Sequence, residues 1–233
     1  MIPAISGSSL LLAYGRGPVI LELEKFVVEQ GTCVALTGPN GGGKSTLLKA
    51  LSGRLMIRTG VLEVFDAPAA TRSSRVAYIG QSHDFDQEFP LTVSDLVGQG
   101  CLALCSWPRW RTAEDTRRVK KALEQLDLTA LGEQPVGTLS GGQWQRALLA
   151  RAIVREAKLF LLDEPFSAVD SQSRIVAWRV LKQAQRQGAT ILLATHDTED
   201  LEYCDRVIGL KRVLTSDVGR VLSSPAPAFA LPG

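Results

Sequence analysis

Long apolar runs are missing from this chain. The uncharged, mildly apolar stretch Leu96 to Pro108 covers 13 residues, short of the roughly 18 that read as a membrane span. A role at a membrane must therefore come through another protein. The N-terminus, MIPAISGSSLLLAYGRG, lacks a basic n-region, and Leu10 to Leu12 is too short an apolar run for a signal peptide, so no export is implied. Cysteine is scarce: Cys33, Cys101, Cys105 and Cys204 form no CxxC pair and no disulfide framework, which fits a reducing compartment. Cys101 and Cys105 stand four apart and read as packing thiols rather than half a metal site. A charge excess is also absent, since 26 basic and 24 acidic residues leave a net +2, too balanced to recruit nucleic acid by charge alone. Hydrophobic residues at 45% are ordinary for a folded domain, and no internal repeat is visible.

Within that ordinary composition the pattern is specific. Val19 to Phe26 alternates Leu21 and Leu23 with Glu22 and Glu24, the period-two signature of a half-buried strand and of an early antiparallel sheet. Thr32 to Thr37 is a β-branched and apolar run that ends in a glycine-rich turn, after which Ser45 to Leu51 opens a helix. Buried-strand signals recur at Leu159 to Leu162 and Thr190 to Ala194, each after a candidate helix, which predicts crossovers and a largely parallel sheet. Between about Phe85 and Ala157 the strand signal disappears. There Val119, Ala122, Leu123 and Leu126 recur at helical spacing, so the stretch reads as an inserted helical lobe. Ser171 to Gln187 repeats the helical pattern, and the tail LSSPAPAFALPG reads as coil.

Chemistry enters at Gly38 to Thr46, GPNGGGKST, a full match to G-x-x-x-x-G-K-[ST] placed between strand and helix. Gly38, Pro39, Asn40, Gly41, Gly42 and Gly43 let the backbone curl so that amides and a helix N-terminus face an anion. Lys44 can bridge terminal phosphates, Ser45 can ligate Mg²⁺, and Thr46 supports the phosphates. The fold class is thus α/β, a P-loop NTPase core with a mostly parallel sheet, an N-terminal antiparallel β subdomain and an inserted α-helical subdomain. Downstream, LFLLDEP at Leu159 to Pro165 ends a buried strand in two carboxylates: Asp163 to face Mg²⁺, and Glu164 to act as general base on a water. A guanine-reading N-K-x-D motif is excluded, because the one asparagine, Asn40, lies inside the P-loop.

With LSGGQWQR at Leu139 to Arg146, the chain resembles the ATP-binding cassette (ABC) ATPases, in the family's order of P-loop, Gln81, signature at Ser140, Asp163 and Glu164, SAVD, then His196. The resemblance implies ATP and Mg²⁺ as ligands and a second copy of the chain as partner, with Ser140, Gly141, Gly142 and Gln143 of one copy closing on the ATP held by the other. Gly141 and Gly142 would offer backbone N–H groups there. It further implies that Gln81 contacts Mg²⁺ or the attacking water, that His196 contacts the γ-phosphate, and that Tyr14, 24 residues before Gly38, stacks on adenine. Ser45, Gln81 and Asp163 form the implied Mg²⁺ set. Asp170 in SAVD is also placed to cap a helix. One domain over residues 1–233 is expected, with about 1–84 and 158–233 as core and about 85–157 as the helical signature subdomain.

The segment SHDFDQEFPLTVSDLVGQG is similar to the cassettes of bacterial zinc and manganese importers, through Phe89, Pro90, Thr92, Val93, Asp95 and Gly98, although Thr92 or Ser94 could equally cap a helix. This implies an integral membrane permease and an extracytoplasmic solute-binding protein as partners, no nucleic acid, and a place at the cytoplasmic face of the membrane. Zinc leads, followed by manganese, iron or a siderophore, ahead of a soluble non-transport ATPase. His83, Asp84 and Asp86 read as an exposed polar loop rather than a metal sensor.

Overall fold

The computed structural model describes residues 2–71, 74–80, 90–103, 111–167 and 169–210, and the backbone of 222–225. Two long strands, β1 (Pro3–Ala13) and β2 (Val19–Glu29), pair antiparallel. β3 (Cys33–Thr37) leads through the glycine loop into α1 (Lys44–Leu51). β4 (Thr59–Val64) and the two-residue β5 (Ala67–Pro68) complete a sheet of order β2-β1-β4-β5. Beyond β6 (Val76–Ile79) come α2 (Val93–Leu102), α3 (Ala113–Gln125) and α4 (Gly141–Val154). The chain then runs through β7 (Leu159–Asp163), α5 (Ser171–Arg186), β8 (Thr190–Ala194), α6 (Thr198–Leu201), β9 (Arg206–Gly209) and β10 (Leu222–Pro225). These build a second sheet of order β10-β9-β3-β8-β7-β6, parallel from β9 to β6. Both sheets answer the expected parallel core and early antiparallel sheet.

The central parallel strands β3, β7 and β8 are buried on both faces, and alternate residues of the sheet feed different apolar layers. Ala35, Leu193, Phe160 and Ile79 pack with α2, α3, α4 and α5. Their neighbours Leu36, Leu192 and Leu161 pack with α1 and with Leu10, Leu12, Leu21 and Leu23 of the antiparallel sheet. Such strands lack a polar face, which is why they read as continuous apolar runs.

The helical stretch is cut into three by its caps. Thr92 and Asp95 form a capping box at the start of α2, as do Thr112 and Asp115 at α3 and Ser140 and Gln143 at α4. A Cβ on Gly100 would lie 2.4 Å from the Arg151 carbonyl oxygen, so glycine there permits the close approach of α2 to α4. Among the described residues no helix is long and apolar enough to cross a membrane.

One expectation fails. The tail is not coil throughout: Leu222–Pro225 pairs antiparallel with Arg206 to Gly209 as β10. An edge position tolerates the proline at its end, because its missing N–H costs no interior ladder bond.

Candidate nucleotide site

The in-register pairing of β3, β8 and β7 sets Leu36 beside Ala194 and Ala194 beside Asp163. The loops that follow these strands therefore emerge together at the carboxyl edge of the parallel sheet, where ligands of open α/β sheets bind. The glycine loop leaves β3, Glu164 leaves β7, and Thr195 and His196 leave β8.

The glycine loop is built by backbone geometry that side chains would block. Gly38 has φ 142°, and a Cβ there would sit 2.3 Å from the carbonyl oxygen of Leu210. Gly43, at φ 89°, would clash with the Leu21 Cβ at 2.9 Å. Gly41 also takes a positive φ, and the Gly42 N–H donates to the Pro39 carbonyl at 3.0 Å. Pro39, Asn40 and Gly41 are exposed, whereas Gly42, Gly43, Lys44 and Thr46 are buried. Unlike α2 to α6, whose N-cap side chains all accept from the first turn, α1 follows Gly43 with no side-chain cap, so no cap side chain competes with an anion for its first N–H groups. Lys44 Nζ donates to the carbonyls of Gly38 and Pro39 at 2.8 and 3.1 Å, which places its charge over the same loop.

Ser45 Oγ donates to Asp163 Oδ1 at 2.9 Å, and Tyr78 Oη donates to Asp163 Oδ2 at 3.2 Å. Burial pushes the Asp163 carboxyl above its usual range, against the lowering effect of these two hydrogen bonds. Burial, and then the neighbouring carboxylate, push the Tyr78 phenol up. The adjacent hydroxyl and carboxylate oxygens of Ser45 and Asp163 form a hard-oxygen pair at the root of the glycine loop, a donor set that fits Mg²⁺ beside phosphate. Tyr78 was missed in the sequence. Its partnership with Asp163 depends on β6 lying next to β7, which no local pattern reveals.

Glu164 stands in the left-handed region at φ 47°, its N–H tied to the Ala194 carbonyl at 2.9 Å. That turn brings Glu164 Oε1 to 3.6 Å from His196 Nδ1. The Glu164 side chain is 17% exposed and that of His196 is 67% exposed, so the pair faces outward from the sheet edge. Tyr14 lies 47% exposed, with Lys49 Nζ 3.5 Å from its hydroxyl.

The other predicted segments lie elsewhere. Ser140 is exposed and caps α4, accepting from the Gln143 N–H at 3.3 Å while Gln143 Oε1 accepts from the Ser140 N–H at 2.9 Å. Gly142 is buried, and a Cβ there would meet Asp170 Oδ2 and Ser173 Oγ at 2.8 Å. Its lack of a side chain serves the packing of α4 on α5. Asp170 caps α5, accepting from the Ser173 N–H at 2.9 Å. Much of the pattern around α2 also has a folding role: Thr92 and Asp95 cap the helix, Val93 is fully buried, and a Cβ on Gly98 would meet Arg111 Nη2 at 2.7 Å. Gln81, His83, Asp84, Asp86, Phe89 and Cys105 lie outside the described residues.

Comparison with known proteins decides the family. Residues 22–167 match the sequence profile described as ABC transporter. The chain belongs to the ABC transporter family. This cassette is 38% identical over 223 residues to the zinc transport system ATP-binding protein TroB of Treponema pallidum, covering 95% of this chain and 83% of that one. It is 36% identical over 213 residues to the manganese transport system ATP-binding protein MntA of Synechocystis sp., covering 90% and 82%. Among solved structures it superposes, at a TM-score of 0.79 and 28% identity, on a chain of an inward-facing ABC transporter assigned to the metal-chelate type, covering 97% and 84%. The cassette therefore carries the nucleotide-binding fold of that family, with the glycine loop, the acids of β7 and His196 on one sheet edge.

Proposed function

We propose that this cassette binds and hydrolyses ATP to energise import of a divalent metal through a separate permease, working as one of two copies. The observation that carries the reading is the convergence, at one sheet edge, of the uncapped glycine loop, the Ser45 and Asp163 oxygen pair, and Glu164 facing His196. One domain is proposed, in which residues of about 85–157 form the signature-bearing helical subdomain.

Amides of Gly38 to Thr46 and the Lys44 ammonium bind the triphosphate of ATP. Ser45 and Asp163 hold Mg²⁺, joined by Gln81; when bound, the ion neutralises charge on the phosphate oxygens. Glu164 takes a proton from a water as that water's oxygen forms a bond to the γ-phosphorus. The bond from the γ-phosphorus to the bridging oxygen breaks, ADP leaves with the electron pair, and phosphate is released. His196 contacts the γ-phosphate and orients it toward that water. Ser140, Gly141, Gly142 and Gln143 of the second copy close over the same ATP, with the start of α4 adding a helix N-terminus.

Tyr14, exposed beside Lys49, stacks on adenine. Base stacking contributes about 1–3 kcal/mol, so Tyr14→Ala is expected to weaken ATP binding by about fivefold to a hundredfold with little change in kcat. An unchanged ATP affinity in a titration would remove Tyr14 from the site.

The metal class is supported by relatives whose names specify zinc and manganese. Zinc is proposed first, ahead of manganese, iron or a siderophore. A permease, with an extracytoplasmic solute-binding protein, places the cassette at the cytoplasmic face of the membrane. In vesicles holding the cassette with its co-purified permease, radiolabelled zinc uptake should require ATP and resist competition by excess manganese. Uptake abolished by manganese would shift the substrate, and recovery of the cassette with ribosomes or DNA and no membrane protein would favour a soluble ATPase.

A further inference from the structure

Four side chains outside the nucleotide motifs hold the loops that carry Glu164 and His196. The Asp200 carboxylate is buried, with the residue 1% exposed. Its Oδ1 accepts from Trp178 Nε1 at 3.0 Å and its Oδ2 accepts from Thr195 Oγ1 at 3.0 Å. Thr195 has one hydroxyl hydrogen. Because that hydrogen is given to Asp200, the hydroxyl oxygen is free to accept from the Asp197 N–H, at 3.1 Å. The relay thus ties the residue before His196 to the residue after it.

Arg174, one helical turn before Trp178, donates to Asp197 at 2.5 Å, to Glu199 at 2.6 Å and to the Phe166 carbonyl at 3.3 Å. Phe166 follows Glu164 by two residues and packs against the Trp178 ring at 5.6 Å between centroids. One face of α5 therefore grips both loops, the one leaving β7 and the one leaving β8. The buried carboxylate is offset by these hydrogen bonds and by Arg174 Nε, 3.9 Å from Oδ1, and an apolar side chain there would leave the Trp178 N–H without its acceptor. A carboxylate does what an apolar group cannot: it fixes the direction of the Thr195 hydroxyl.

We infer that Asp200, acting through Thr195, is a positioning residue that holds the His196 imidazole in its place opposite Glu164. The inference rests on the proposed role of His196 in ATP hydrolysis. Misplacing a reacting group by an ångström costs up to about a hundredfold in rate, so Asp200→Asn should lower kcat by about tenfold or more while KM for ATP stays near the wild-type value. A residue that acts through another adds nothing once that other is gone. In single-turnover phosphate release, which resolves slow variants, Asp200→Asn is expected to slow the wild type but not the His196→Ala background.

An equal loss in both backgrounds would overturn the inference and leave Asp200 with a general structural role, as would an unchanged kcat in Asp200→Asn. Thr195 gives a second route if the aspartate variant folds poorly: Thr195→Ser, which keeps the hydroxyl, should retain kcat and Thr195→Val should lose it. Equal rates for those two would contradict the relay. If His196→Ala itself turns over like wild type, the parent reading falls together with this one. If His196→Ala is impaired but the losses simply multiply, this inference alone falls.

Discussion

Glu164→Gln is expected to lower ATP turnover by about a hundredfold or more while leaving ATP affinity close to wild type, since positioned general bases contribute roughly 10²–10⁴-fold. The amide has nearly the carboxylate's shape, so the strained turn at φ 47°, the backbone bond to Ala194 and the approach to His196 at 3.6 Å are all kept. What is lost is the ability to accept a proton from water near neutral pH. The residues proposed to bind the triphosphate, Lys44 and the amides of the glycine loop, are untouched, and so affinity and rate should separate. The uncleaved γ-phosphate should also hold two copies together, so that the variant forms an ATP-dependent dimer where the wild type passes through one transiently. Phosphate release beside an ATP-binding titration checks both halves. Wild-type hydrolysis by this variant would remove Glu164 as the base.

How far the sequence carried depends on whether a feature is local. The glycine loop, LSGGQ and the acids of β7 are contiguous because each supplies consecutive backbone amides or a strand end, so they stand out in one dimension. The strands β3, β7 and β8 were legible because burial on both faces leaves unbroken apolar runs. β1 escaped notice because Ser6, Gly7, Ser8 and Ser9 interrupt its pattern, and Ser9 breaks the extended backbone at φ 49°. β10 was read as coil from its serines and proline, although an edge strand tolerates them.

Long-range partnerships were invisible. Tyr78 meets Asp163 across 85 residues, Trp178 meets Asp200 across 22, and the buried Cys33 and Cys204 sulfurs lie 3.6 Å apart across 171. Each depends on strand order or on helix placement over the sheet. Gly142 carries a second demand that its place in the signature does not reveal: a Cβ there would meet Asp170 and Ser173 across the α4–α5 contact.

Ser140→Arg should abolish hydrolysis, by about 10²–10³-fold if it removes a set of anion-stabilising donors, while each chain still binds ATP through its own glycine loop. Ser140 is exposed at the start of α4, within the helical layer, whereas α1 belongs to the apolar cluster on the opposite face of the parallel sheet. Losing the cap costs about 1 kcal/mol, and a cation at a helix N-terminus is mildly unfavourable, so the variant should fold with a slightly lower Tm. On the proposed shared site, the large effect comes from the second copy: a long cation there would sit where the partner's ATP is to be covered, blocking closure without altering the P-loop. Wild-type hydrolysis by Ser140→Arg alone would exclude shared sites.

The shared site is the central claim, and the mass of the protein in ATP tests it most directly. Light scattering with bound-nucleotide analysis should show Glu164→Gln as a dimer holding one ATP per chain, and the double variant Ser140→Arg with Glu164→Gln as a monomer that still holds one ATP. A double variant that dimerises as fully as Glu164→Gln, or a Glu164→Gln protein that remains monomeric with ATP bound, would contradict the account.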